Sequence, residues 1–122
     1  MNVLLHNGYI SMIGAIPSLP VSNLKSSVQF YTNRLGFQLI QSNQTSVSLQ
    51  NGEVDLFLIE KKEIPIMYCG FYVNNLKDHL PEVVSIKELS DIGKLSINKQ
   101  GGLYFKMRDP DGNIIEIIEQ IS

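Results

Sequence analysis

The residue best placed to do chemistry in this 122-residue chain is Glu116, a carboxylate set in an otherwise apolar run, Ile114-Ile115-Glu116-Ile117-Ile118. A carboxylate among isoleucines cannot stay ionised and unpaired at low cost, so it needs a partner, a raised pKa or access to solvent. Lys106 and Arg108, on the preceding strand-like segment, are the expected partners. The usual company of a metal or nucleophile site is thin around it. The two histidines are His6, near the N-terminus, and His79, in a short helical segment close to Pro81. Neither lies in a strand beside Glu116, and no HxH, HExxH or CxxC spacing occurs. What remains for a cation is oxygen: Asp55, Glu116 and a tyrosine could hold Mg²⁺ or Ca²⁺ weakly. Cys69 has no evident His or Lys beside it and is expected to be an inert buried thiol.

The elements that must position these groups follow from periodicity and turn chemistry. Ala15–Val21 reads as a strand whose two prolines deny one side its N–H groups, which assigns it to a sheet edge or a cavity wall. Asn23 is a good N-cap, and Leu24, Val28, Tyr31 and Leu35 recur at helical spacing up to Gly36, so a helix is predicted over 24–35. Three short strands follow, Phe37–Gln41, Ser46–Gln50 and Val54–Glu60, with Asn51-Gly52 as the hairpin turn between the last two. Glu60–Pro65 is a polar connection.

After it the order repeats. Ile66–Val73 reads as a strand, Asn74 or Asn75 caps a short helical segment, and Ser85–Leu89 is a weak strand before a polar loop, Ser90–Gln100. Leu103–Arg108 and Asn113–Gln120 then flank Asp109-Pro110-Asp111-Gly112, which has the residue types of a type I turn followed by a left-handed glycine. Val21-Ser22-Asn23-Leu24 matches Val73-Asn74-Asn75-Leu76 at a spacing of 52 residues, an internal repeat of a β-α-β-β-β unit. One copy alone would leave the apolar face of a sheet uncovered, so the two should pair into an α+β domain with curved sheets around a cleft.

Composition narrows the function. With 43% hydrophobic and 18% charged residues and a formal net charge of −2, this is an ordinary globular composition, and no basic run exists for nucleic acid to dock on. No apolar run approaches the roughly 18 residues of a membrane span, and the N-terminus lacks the features of a signal peptide. A single cysteine suits a reducing cytoplasm. Residues 1–12 are expected to be an N-terminal extension, either dispensable before an internal start at Met12 or an ordered arm.

At this point the residues carry a likeness. Leu19-Pro20-Val21-Ser22-Asn23-Leu24, the Phe30-Tyr31 and Leu35-Gly36-Phe37 of the helix end, the Asn-Gly hairpin and the closing Asp109-Pro110-Asp111-Gly112-Asn113-Ile114-Ile115-Glu116 together resemble the glyoxalase / bleomycin resistance protein / extradiol dioxygenase superfamily. The resemblance covers about residues 13 to 121. It implies two paired βαβββ modules, 13–60 and 66–121 within one domain over 13–122, forming a cup-like cavity, usually within a homodimer. In the catalytic branches it implies a divalent metal held by His and Glu side chains. The corresponding positions here are Ile16, Tyr68, a residue near Asp55, and Glu116, so both usual histidines are replaced and no metal or other cofactor is expected. Side chains in phase with those positions should line the cup: Ile16 and Ser18, Asp55 and Phe57, Tyr68 and Tyr72, and Glu116. An aromatic, mildly acidic lining suits a flat organic molecule held by stacking.

Three functions stand against one another. The leading one is a metal-free binding protein akin to the bleomycin resistance branch, whose members sequester a drug in grooves at the dimer interface without reaction. The alternative is a lyase, isomerase or dioxygenase using an oxygen-ligand metal site of Asp55 and Glu116. The third is a degenerate member with a filled cavity, acting through protein contacts. Some drug-binding members stack the drug's aromatic tail on tryptophan, and this chain has none. The expected partners are therefore a small-molecule ligand and a second copy of the chain, with neither nucleic acid nor membrane.

Overall fold

The computed structural model describes residues 5–6, 9–79 and 95–121. Strands β1 (Leu5–His6) and β2 (Tyr9–Ile10) form an antiparallel two-stranded hairpin of their own within the N-terminal arm. The first module follows as β3 (Ser18–Val21), α1 (Leu24–Leu35), β4 (Gln38–Ser42), β5 (Ser46–Asn51) and β6 (Val54–Glu60). The second consists of β7 (Tyr68–Val73), a 3-10 turn (Leu76–His79), β8 (Ser96–Ile97), β9 (Leu103–Arg108) and β10 (Ile114–Glu119).

The helix has the bounds its sequence dictates. Asn23 stays extended and its Oδ1 accepts the Ser26 N–H at 3.0 Å, while Gly36 takes a left-handed φ of 72° to end it. Each module closes a four-stranded sheet of the same topology, β3-β6-β5-β4 and β7-β10-β9-β8. In both, the first strand runs parallel to the last and the other neighbours are antiparallel. The proline-bearing β3 lies at a sheet edge, as a strand lacking N–H donors must. The internal repeat extends through the register: Ser18 stands opposite Phe57 as Gly70 stands opposite Glu116, and Val21 opposite Glu60 as Val73 opposite Glu119. Those two terminal glutamates do the same work, since Glu60 Oε2 accepts the Leu24 N–H at 3.1 Å and Glu119 Oε2 the Lys77 N–H at 3.4 Å.

The second module departs from the first at Asn75, and from its sequence reading at Ser96–Ile97. Asn75 adopts a left-handed φ of 57° where Asn23 is extended, and a 3-10 turn rather than an α-helix leaves it. Ser96–Ile97, expected to be loop, pairs with Leu103 and Tyr104 because Asn98 builds a tight turn behind it. Asn98 Oδ1 accepts the N–H groups of Gln100 and Gly102, and Gly101 turns with φ 85°. The weak strand assigned to Ser85–Leu89 lies outside the described residues.

One core serves both modules. The inward phases of the first sheet (Leu19, Val21, Leu49, Leu56, Leu58) and of the second (Phe71, Phe105, Met107, Ile115, Ile117) are buried together with Tyr31 and Phe37. The Phe37 ring meets Tyr31 at 6.1 Å and Phe71 at 5.6 Å between centroids, both edge-on, so aromatic packing runs from α1 across to β7. The Asp109–Asn113 turn is the polar counterpart of that junction. Asp109 Oδ1 accepts the N–H groups of Asp111 and Asn113 at 2.9 Å each, which shapes the turn. Its Oδ2 accepts the buried Tyr31 hydroxyl at 2.7 Å, and Asn113 Nδ2 donates to Pro20 O at 3.2 Å. A loop of the second module thus completes the hydrogen bonding of the first. Burial, then the neighbouring Asp109 carboxylate, push the Tyr31 hydroxyl well above its ordinary pKa, so it is a permanent donor.

Candidate functional site

Strand alternation buries one face of each sheet and leaves the other open, and every residue expected to line the cup lies on an open face. Ser18 and Asp55 are exposed and Phe57 is half-buried on the first sheet; Tyr68 and Tyr72 are exposed and Glu116 half-buried on the second. They do not form a single site within one chain. Ile16, Ser18, Asp55 and Phe57 come together in an open cleft of about 440 Å³ on the first sheet. Glu116 lines a separate open cleft of about 520 Å³ on the second, with Tyr104, Lys106 and Ile118. Tyr68 is joined to Glu116 by a hydrogen bond, and Tyr72 follows on the same face of β7.

The partner of Glu116 is Tyr68, whose hydroxyl donates to Oε1. Neither Lys106 nor Arg108 fills that place. Lys106 stands directly opposite Glu116 in the β9–β10 register, yet its ammonium lies 5.6 Å from the centroid of the Tyr68 ring, held against the π face. Arg108 is drawn to the turn, where Nη1 donates to Gly112 O at 3.1 Å. Lys106, Tyr68 and Glu116 therefore form one cluster spanning three strands. The hydrogen bond to Glu116, with smaller contributions from burial and from the carboxylate's charge, pushes the Tyr68 hydroxyl up to about 12. At neutral pH Tyr68 is a proton donor to Glu116 and not a base.

The donor set does not fit a catalytic metal. By register the first-module counterpart of Glu116 is Phe57, not Asp55, and the spacing of the repeat makes Ile16 the counterpart of Tyr68. Two of these four positions are hydrocarbon, and the one carboxylate already accepts from a phenol. Asp55 lies in the other cleft, on the other sheet. Among the described residues no three His, Cys, Asp or Glu side chains gather to hold an ion. Cys69 faces the core, and burial raises its thiol pKa, so it is no nucleophile.

Several cleft residues were not singled out by sequence reasoning. Ser48 and Gln50 line the first cleft, as does Ile40; Tyr104 lines the second. The alternation of Ser46-Val47-Ser48-Leu49 and of Leu103-Tyr104-Phe105-Lys106 carries that signal, because the buried partners Val47, Leu49, Leu103 and Phe105 assign the others to the open face. Ile40 carried no such signal. Every residue of β4 is exposed, and the pairing register shifts between Leu39 and Gln41.

With this geometry in hand, comparisons with known proteins agree on its ancestry. The model of the Glyoxalase/Bleomycin resistance protein/Dioxygenase superfamily matches residues 10–117. Bleomycin resistance proteins of Geobacillus stearothermophilus and Staphylococcus aureus are each 36% identical over an aligned 130 residues, covering 90% of this chain and 98% of theirs. Among solved structures, the bleomycin resistance determinant encoded on the transposon Tn5 superposes with a TM-score of 0.76 at 21% identity, over 91% of this chain and 100% of that one. Lactoylglutathione lyase from Agrobacterium tumefaciens reaches the same TM-score, 0.76, at 16% identity, over 89% and 94% of the two chains, and so shares the fold. Paired modules with four-stranded sheets of matched topology and register are thus those of a member of the Glyoxalase/Bleomycin resistance protein/Dioxygenase superfamily.

Proposed function

We propose that this chain is a metal-free cytoplasmic binding protein that sequesters an elongated, partly aromatic drug-like molecule, of which bleomycin is the first candidate, without transforming it. The observation that carries this reading is the condition of the Glu116 site: its carboxylate is engaged by Tyr68, and its first-module counterpart is phenylalanine. Such a site offers stacking surfaces and hydrogen bonds but lacks the metal ligands and free base that an enediolate mechanism needs. The names of the 36%-identical relatives support bleomycin as the compound to try first. In place of tryptophan, Phe57, Tyr68, Tyr72 and Tyr104 supply aromatic surface on the open faces.

The same reading includes a homodimer. Each open face carries an open cleft, and the large apolar side chains Ile16, Ile40, Ile66, Tyr68 and Tyr72 are exposed in the single chain. A second copy that sets its second sheet over the first sheet of its partner would enclose both clefts and cover these residues. Calorimetric titration of the purified chain with copper-free bleomycin, alongside sedimentation and metal analysis, tests all three parts. Saturable binding of one ligand per groove to a metal-free dimer is expected. Absence of binding, or stoichiometric transition metal surviving mild dialysis, would sink the reading.

A further inference from the structure

We infer that the open cleft on the second sheet binds the oxyanion head of an organic acid. Lys99, Lys106, Tyr104 and the Asn98 amide receive the head, and Ile97 and Ile118 lie against its apolar body. The inference rests on the reading above only in that it puts a ligand on the open faces, and it adds the charge and head group of what this cleft takes. The two clefts differ in charge. Among the described residues that line them, the first has Asp55 and no Lys or Arg, whereas the second has two lysines and one carboxylate. That difference arises in the second copy of the repeat. Tyr104 and Lys106 stand opposite Ile118 and Glu116, and at the matching places, opposite Ile59 and Phe57, the first module has Ser46 and Ser48.

Asn98 is the informative residue. Its Oδ1 accepts the N–H groups of Gln100 and Gly102 at 3.0 and 2.9 Å, so the acceptor of this amide is committed to the turn. Its Nδ2 keeps both donors, at a position that lines the cleft. The turn therefore holds a donor in one orientation before any ligand arrives. Lys99 follows Asn98 directly in the chain, and Lys106 lies two residues beyond Tyr104, on the same face of β9. Among the described residues neither ammonium is in an ion pair, although Lys106 rests against the Tyr68 ring. Glu116 is the one carboxylate among the described lining residues, and its Oε1 already accepts from Tyr68. Donors are in surplus here.

That surplus selects an anion with several acceptor oxygens. A carboxylate or a phosphate can accept from ammonium, amide and phenol groups together, and such charge-assisted hydrogen bonds are the stronger kind. A ligand amine would meet two ammonium groups and a carboxylate already half engaged. The isoleucines add an apolar wall, so an oxyanion on a hydrocarbon chain gains contact that a bare inorganic ion does not. At about 520 Å³ the cleft has room for a head group and a short chain. The class selected is an amphiphilic organic oxyanion.

Calorimetric and NMR titrations of the full chain with hexanoate and hexyl phosphate, at neutral pH and low salt, test this. Hexylamine and hexanol serve as the cationic and neutral probes of equal chain length. The anions are expected to bind and to shift the resonances of Asn98, Tyr104 and Ile118, and the other two to bind far more weakly. Tighter binding of hexyl phosphate assigns a phosphate head, and tighter binding of hexanoate a carboxylate; either supports the oxyanion. Lys99→Gln and Lys106→Gln should each lower anion affinity about 1.5- to 5-fold, the range of an exposed ion pair. Glu116→Gln should raise it, because the opposing charge goes while an amide oxygen still accepts from Tyr68. Lys99→Gln, at an exposed turn position, decides the matter should Lys106→Gln lower the Tm. Anions that bind no tighter than hexylamine, shifts confined to the first cleft, or unchanged affinity in both lysine variants would each overturn the assignment. Copper-free bleomycin titrated in parallel separates the two claims. A chain that binds the anions but not bleomycin refutes bleomycin sequestration alone, and one that binds bleomycin but not the anions refutes the oxyanion cleft alone.

Discussion

Glu116 illustrates how a single carboxylate takes its role from its neighbours. Among isoleucines it requires a partner, and the strand register offers two candidates of different kinds, Lys106 directly opposite and Tyr68 diagonally across β7. The phenol takes the hydrogen bond and the ammonium takes the phenol's π face, so one cluster holds all three groups without a direct ion pair. The consequence is measurable in the titration of Tyr68. Its folded-state pKa of about 12 exceeds the ordinary 10.0, so the stabilisation from this pair is complete below pH 10 and is lost as pH rises through 12. Ultraviolet detection of tyrosinate should find a tyrosine titrating near 12 in the wild type. In Glu116→Ala that transition should move down toward 10, because its largest cause is gone. An unchanged titration curve would mean that Tyr68 and Glu116 are not paired in solution.

At the scale of elements, the two modules show how far a repeat can drift while its topology holds. Sheet order, strand direction and even the terminal glutamates Glu60 and Glu119 are kept. What differs lies on the open faces, where Gly70 and Glu116 answer Ser18 and Phe57, and also at strand ends and crossings. Gly102 is one such place, where the start of β9 presses on the end of β10. A Cβ there would come within 2.7 Å of the Glu119 carbonyl oxygen and 3.2 Å of Ile121 Cγ1. Backbone cannot yield as a flexible side chain does, so Gly102→Ala should cost about 1–3 kcal/mol by overpacking. Urea denaturation is the check, with Gly70→Ala as the tolerated comparison because its nearest neighbours are at 3.6 and 3.9 Å.

For the molecule as a whole, the decisive contacts are those that join the modules. Apolar packing through Tyr31, Phe37 and Phe71 and the hydrogen bonds of the Asp109–Asn113 turn tie the two sheets together. Tyr31→Phe removes the buried donor to Asp109 and nothing of the ring packing. It should cost about 1.5–3 kcal/mol, the range for a hydrogen bond to a charged group, while unfolding remains a single transition. A second, separate transition in either protein would show that the modules fold independently.

Much of this was legible in the chain itself, because the signals are local. Asn23 and Gly36 bound a helix wherever it packs, alternation assigns strands to a face, and an Asp-Pro-Asp-Gly-Asn segment turns by its own hydrogen bonds. The repeat and the family likeness follow from the same short-range patterns. Three things needed the fold. Which residue answers Glu116 depended on where side chains from three strands lean. That Phe57, and not Asp55, is its counterpart depended on a parallel register that spacing along the chain does not define. That the expected cup residues divide between two clefts depended on where each sheet ends. Local sequence sets backbone conformation through dihedral preference and capping, whereas pairing between distant strands is settled only by the packing of the whole core.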